Sequence, residues 1–441
     1  MHVRRSPILP LILSAVVAHS AYWTNRILVE IAERLRMNVP SIDKKQDCAT
    51  ARSAAERQPS GIRLEFLDGL RGLAALYVVL HHIHQEVTYN QGDRAFLPLK
   101  LLAATKWLAL GHYGVAVFIV ISGYSLMLPI VRSGAGRLRG GFRNYIFRRA
   151  RRILPPYYAA LVLSLIIFAL TPALQHPSGW RADLEFPAVT FNAIWSHVLL
   201  VHNFTPWVFK INAPMWSVAT EWQIYFLFPF LLLPIWRRYG IAPAVAAGFV
   251  VGFIPHFIFR GRLDAAVPWY LGLFAMGMAA AVVSFSDKSQ IASFRSRMPW
   301  LPLTLILGVA LAVTIKIWPD RLLISDPLAG AAATCLIMYC GTMYSNSRSS
   351  VLMRIFQSRW AVLLGVFSYS LYLVHSPLIS LVHIALRSQH FSPLSRFILL
   401  PVVGVPVILA VSYLFHLAFE KRFLGSSMQP ETQNAAAGRA L

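Results

Sequence analysis

Leu67-Asp-Gly-Leu-Arg-Gly-Leu-Ala-Ala-Leu-Tyr-Val-Val-Leu-His-His82 sets three ionisable side chains, Asp68, Arg71 and His82, inside one apolar run. A helix turns about 100° per residue, so the eleven steps from Arg71 to His82 return to within about 20° of the start. Asp68 lies about 60° to the other side of Arg71, one turn earlier. The three share one stripe, with His82 about 16 Å along the axis from Arg71. Ionisable groups are costly in lipid, so the stripe must face a protein interior or a wet cavity. The helix therefore reads as the floor of an active site, with His82 as general base and Asp68 anchoring Arg71. A buried ion pair plus a satisfied core histidine is the bland alternative. His81 and His84 fall off the stripe.

The rest of the chain agrees with a membrane setting. Of 441 residues 56% are hydrophobic and 13% charged, against about 25% charged in soluble proteins. The apolar content is gathered into continuous runs long enough to cross a bilayer as helices, and the runs do not alternate as barrel strands do. Ten spans are expected: 69–84, 113–131, 156–174, 216–235, 241–259, 265–284, 302–318, 327–344, 360–384 and 397–419. The expected fold is an all-α, polytopic helical membrane bundle. The short piece 96–110 carries Lys100 and Lys106 and is read as interfacial or re-entrant.

The net charge of +23 does not point to nucleic acid, because Lys and Arg collect in short loops. With the loop after the second span placed in the cytoplasm, the cytoplasmic loops hold 19 basic residues and the opposite loops 10, chiefly through 132–152. The C-terminus is then cytoplasmic in the inner membrane. The three cysteines, Cys48, Cys335 and Cys340, lack zinc-ligand spacing and are read as core; no metal is expected.

The domains expected are an N-terminal extension over 1–63, a membrane domain over 64–423 and a disordered cytoplasmic tail over 424–441. The extension is an interfacial helix, an extra span, or a start placed too early, with Met37 as the true start. Its apolar run 8–23 after Arg4-Arg5 also resembles a secretory signal. Lys44, Lys45, Arg52, Arg57 and Arg63 argue against export of the segment 24–66.

Three further stretches carry chemistry. In 144–155, Arg148, Arg149, Arg151 and Arg152 stand at the start of the third span. Part of this is ordinary loop charge, yet Arg149 and Arg152, one turn apart, suit a phosphorylated ligand. In 213–226, Glu221 lies within a span, where a carboxylate is a functional hypothesis by default; it pairs with Arg71 or His82, orients a substrate hydroxyl, or packs helices. In 367–377, Ser368, Tyr372 and His375 share a face that lines a cavity or holds helices together. Ser122 and Gly123 mark a close helix approach, with packing the favoured role. The loop 175–213 offers Trp180, Trp195, His202, Asn203 and Trp207, which suit sugars and equally suit any membrane interface.

Together these motifs resemble membrane-bound acyltransferase family three, the O-acyltransferases that modify cell-envelope sugars and other small molecules. The likeness runs from about Leu64 to Phe423. It rests on Arg71 and His82 with ten residues between them, after Asp68-Gly-Leu, and on Arg149-Ala-Arg-Arg152 before Ile153 and Pro155. Trp216, Ser217, Glu221 and Tyr225 form a third element, and Ser368, Tyr369, Leu371, Tyr372 and His375 a fourth. The resemblance implies a donor, acyl-coenzyme A and usually acetyl, entering from the cytoplasm onto Arg149 and Arg152, with no tightly bound cofactor. It implies a carbohydrate or other hydroxyl acceptor, near Trp216, Tyr225, Tyr369 and His375. His82, Arg71, Glu221 and Asp68 become the catalytic set. Either His82 deprotonates the acceptor for direct attack on the thioester, or a protein group carries the acyl transiently. Arg71 orients His82 or stabilises the oxyanion. Some relatives carry a soluble domain that finishes transfer; here a separate partner, or none, is expected, besides membrane lipids. The rivals are a transporter or flippase for a lipid-linked glycan and a structural envelope component.

Overall fold

A computed structural model describes residues 64–88, 94–175 and 189–424. The expected extension before Leu64, the tail after Leu424 and Trp180 lie outside the described residues. Among the described residues there is no strand, and ten helices are long and apolar enough to cross a membrane. Their main α-helical segments are α1 (Glu65–Thr88), α2 (His112–Arg132), α3 (Gly141–Leu170), α4 (Met215–Leu227), α5 (Ile241–Ile258), α6 (Tyr270–Phe285), α7 (Trp300–Ile317), α8 (Leu322–Ser345), α9 (Ser368–Ser388) and α10 (Pro393–Phe415). The spans that contain α2, α4, α6 and α10 are longer: Leu99–Arg132, Met215–Tyr239, Asp264–Phe285 and Pro393–Phe423. The chain is a multi-pass helical membrane protein.

The core forms around α1, α2, α6 and α9. Helices α2 and α6 approach until side chains no longer fit between them. A Cβ on Gly123 would fall onto the Phe274 carbonyl, and one on Gly277 onto the Val120 carbonyl. Lipid tails are as apolar as leucine, so close van der Waals approach through small residues drives association here. The expected role of Gly123 is the one it has.

Two of the expected spans differ from the helices that form. Helix α3 begins at Gly141 rather than near Pro156, and runs through Pro155 and Pro156. Basic residues stop a membrane crossing, but they do not stop a helix. The ninth span is broken: a short helix Arg359–Val366 ends at Phe367 (φ −114°, ψ 18°), and α9 starts at Ser368. Both pieces are apolar, so hydropathy does not mark the join. Packing does. A Cβ on Gly72 would press on the Ala361 carbonyl, and one on Gly365 on the Asp68 carbonyl. The short helix thus seats against the first turns of α1. Gly365→Val is expected to lower folded yield sharply, by an overpacking cost of about 1–3 kcal/mol or more, read by fluorescence-detected size exclusion of the detergent-solubilised protein.

Helix α4 continues through a π-turn, Phe228–Leu232, into Leu233–Tyr239, and α10 through a second, His416–Glu420. Pro229 has no N–H to give, which accounts for the first irregularity. The second turns Glu420 inward, where it accepts from the Ser370 hydroxyl at 2.6 Å and from His416 Nδ1 at 2.8 Å. This ties the start of α9 to the end of α10. The piece Leu99–Thr105 buries none of its side chains, and the following turn, Lys106–Leu110, lies on α1. There the Tyr77 hydroxyl donates to the Trp107 carbonyl at 2.6 Å.

Between α3 and α4 the loop folds inward. Asn203 bonds Gln223 and Thr220, and His202 stacks on His197 with centroids 3.9 Å apart. His202 and Asn203 are buried, so they anchor the loop rather than present it to a sugar. Burial pushes His197 down to about 4 and His202 down to about 3. An unfolded histidine titrates near 6.5. The unfolded loop therefore binds more protons than the folded one as pH falls below about 6.5, and the loop loses stability from there down towards 4. Backbone hydrogen exchange over 191–204 is expected to quicken at pH 5 relative to pH 7.5, after correction for intrinsic rates.

Candidate functional site

The start of α1 is stabilised by Glu65 and Asp68 in its first turn, where carboxylates meet the positive helix end. Asp68 also receives Arg71 Nη1 at 3.1 Å, and both side chains are about one-fifth exposed. This is the anchoring expected from the sequence. Arg71 then faces a cavity of about 100 Å³ between α1, α2, α3, α4 and α9.

Of the residues expected to act, Arg71, Arg149, Arg152, Glu221, Tyr225 and Tyr369 all line that cavity. They come from four helices and a stretch of nearly 300 residues. Arg71 interacts electrostatically with Arg152, Asp68 and Glu221, and Arg149 with Arg152 and Tyr225. Three guanidinium groups thus meet two carboxylates. Arg149 Nε is buried without a hydrogen-bond partner. A buried guanidinium nitrogen left unpaired is costly, and the surplus positive charge suits an anionic ligand.

Glu221 interacts electrostatically with Arg71, one of the pairings expected, and it has a hydrogen-bond partner that the sequence did not propose. The Tyr225 hydroxyl donates to its Oε1 at 2.6 Å, and Ser122 Oγ stands 3.1 Å from the same hydroxyl. Ser122 therefore lines the cavity with Ser125, rather than serving only helix packing. Nothing in the local sequence of α2 reveals this, because the partner is 103 residues away. Tyr369 donates to the Ile153 carbonyl at 3.1 Å, which holds α9 against α3 beside the arginines.

Phe118, Ser217 and Tyr372 also line the cavity. The Ser217 and Tyr372 hydroxyls are 2.7 Å apart, and the Tyr372 hydroxyl also donates to the Pro214 carbonyl. Beyond Tyr372 lies His375, with ring centroids 5.8 Å apart, and beyond His375 lies His82, at 5.0 Å. His375 is fully buried, and its Nδ1 contacts the Tyr372 carbonyl at 2.8 Å. His82 is half-buried. Of the expected set, Asp68, His82, His375 and Trp216 are thus not cavity-lining: Asp68 stands behind Arg71, and the other three lie towards the opposite end.

Arg71 and His82 sit on one unbroken helix, so about 16 Å of rise separates them. An arginine cannot reach across that distance. The expectation that Arg71 orients His82 is not met: Arg71 lines the cavity instead.

A polar group that the sequence did not single out lies at the opposite end. Asp326, fully buried at the start of α8, accepts from His112 at 2.8 Å and from Trp269 Nε1 at 2.8 Å. A carboxylate beside an apolar run was the available signal, but Asp326 falls just before the expected span 327–344. Cys340 is buried and Cys335 half-buried, both as free thiols. Among the described residues no group of three or more His, Cys, Asp or Glu side chains could hold a metal ion.

A family model described as an acyltransferase domain matches residues 64–417. The chain is 26% identical over 359 residues to a Staphylococcus aureus (strain COL) protein named "Putative O-acetyltransferase SACOL0978", covering 72% of this chain and 51% of that one. It is 25% identical over 352 residues to the acyltransferase MdmB of Streptomyces mycarofaciens, covering 72% and 79%. It is 23% identical over 369 residues to the O-acetyltransferase OatA of Staphylococcus aureus (strain NCTC 8325 / PS 47), covering 74% and 52%. The chain spans about half the length of the Staphylococcus relatives it matches. No solved structure matches. With the model covering most of its length, and with its arginines, Glu221 and Tyr225 gathered on one cavity, the chain belongs to this acyltransferase family of multi-pass membrane proteins.

Proposed function

We propose that the protein is a membrane O-acyltransferase that moves an acyl group, acetyl in the simplest case, from acyl-coenzyme A to a hydroxyl of a sugar or other envelope acceptor. The observation that carries this reading is the arginine cavity, with Arg149 Nε buried and unpaired beside Arg152 and Arg71. Coenzyme A is a phosphate-rich anion with a narrow, uncharged arm ending in the thioester. Its phosphates suit the guanidinium groups, and its arm suits the uncharged stretch of wall at Ser217 and Tyr372. The basic end of the bundle, from which 132–152 projects, then faces the cytoplasm of the inner membrane, and the C-terminus lies on the same side.

In this reading the thioester passes Tyr372 and reaches His82. His82 takes the proton of the acceptor hydroxyl as the oxygen attacks the thioester carbonyl. The C–S bond breaks, and the thiolate leaves with the proton returned by His82. Glu221, fixed by Tyr225, sets the polarity of the cavity wall. Asp68 holds Arg71 on the donor. A covalent acyl-enzyme is not needed for atoms or charge to balance.

The test compares cells carrying and lacking the chain. Envelope glycans and small hydroxyl metabolites are examined by mass spectrometry before and after mild alkali. Alkali-labile acetyl esters present only with the chain support the reading; identical ester profiles overturn it.

A further inference from the structure

Helix α2 starts at His112, directly after Gly111. Asp326 Oδ1 meets His112 Nε2 at 2.8 Å, and the Tyr270 hydroxyl is 3.2 Å from the same nitrogen. The second carboxylate oxygen is taken by Trp269. The Trp216 ring lies nearly parallel to the imidazole, at 12° with centroids 6.0 Å apart. The carboxylate thus fixes the tautomer, with the proton on Nε2, and the indole fixes the plane. Both polar contacts use Nε2 and neither uses Nδ1, which in the neutral imidazole carries the lone pair. The His112 side chain is one-quarter exposed, while Asp326 behind it has no exposure. An imidazole held in plane and tautomer, with its accepting nitrogen turned from its anchor, is a built hydrogen-bond acceptor.

Its position adds to this. The Cβ position of Gly111 is occupied by the His81 ring, and His81 meets His82 edge-on with centroids 4.9 Å apart. His81 also interacts electrostatically with His112, so it neighbours both His112 and His82. We propose that His112 is an acceptor-binding residue: Nδ1 accepts a hydrogen bond from one hydroxyl of a polyhydroxylated acceptor while another hydroxyl meets His82. Asp326 is the positioning residue behind it. This rests on the acyltransferase reading.

Full-length protein in its own membranes, which retain the natural acceptors, is given labelled acetyl-CoA. Two quantities are read: acetyl-CoA binding and alkali-labile ester formation. His112→Gln places an amide N–H where Nε2 stood and keeps the tie to Asp326, but it removes Nδ1. Ester formation is expected to fall at least about tenfold, with acetyl-CoA binding within about twofold of wild type. Ester formation at the wild-type level would show that the tie to Asp326 is the whole role of His112, and overturns the proposal. Loss of donor binding together with ester formation would show a general structural role, and overturns it too. Failure of the wild type to form ester would overturn the acyltransferase reading itself, and this inference with it.

Discussion

Replacing His82 with alanine is expected to abolish acyl transfer while leaving the donor site intact. A positioned general base contributes about 100- to 10,000-fold, so residual ester formation should fall to the percent level or below. Distance within the bundle separates the two effects. His82 stands beyond Tyr372 and His375 from the arginine cavity, about 16 Å along α1 from Arg71. Deleting its ring removes no group that touches the cavity, so acetyl-CoA should bind as before. Labelled acetyl-CoA added to membranes at matched expression reads both quantities. Equal ester formation in the variant would remove His82 from the chemistry. His375 is not an equivalent substitute, because it is buried and its Nδ1 faces the carbonyls of Leu371 and Tyr372.

Arg149→Ala is expected to act in the opposite sense, on the donor and not on the chemistry. A hydrogen bond to a charged group contributes about 1.5–3 kcal/mol. Its loss corresponds to a rise in KM for acetyl-CoA of about tenfold to a hundredfold. Arg152 is more exposed than Arg149, so solvent screening makes Arg152→Ala the milder change. At saturating donor, kcat of both variants should approach wild type. Arg149→Lys should recover only part of the loss, since an ammonium cannot make the two-pronged contact of a guanidinium. A kcat that falls with KM unchanged would place Arg149 outside the donor site.

Much of the site was legible in the sequence because membrane helices advertise their polar residues. A charge costs so much in lipid that Arg71 and Glu221 each needed a reason to be there, while Arg149 and Arg152 stood out by their one-turn spacing, and all four line one cavity. Helical periodicity placed Asp68 against Arg71 correctly, since that contact is three residues long. The contacts that stayed hidden depend on partners distant in the chain. The Ser122–Tyr225 contact and the His112–Asp326 pair join residues 103 and 214 positions apart. A mid-helix serine or a histidine at a helix start looks the same whether or not such a partner arrives. The break at Phe367 was hidden for another reason: two apolar helices in series have the hydropathy of one, and the close seats of Gly365 and Ala361 on α1 join residues far apart in the chain.

Acetyl-CoA labelled with one isotope in the acetyl group and another in the nucleotide tests the central claim most directly. The full-length protein in native membranes is predicted to part the two labels, with acetyl appearing in alkali-labile ester and the nucleotide label released as free coenzyme A in equal amount. Labels that stay together, with no ester formed at saturating donor, would contradict an acyltransferase that draws on acetyl-CoA.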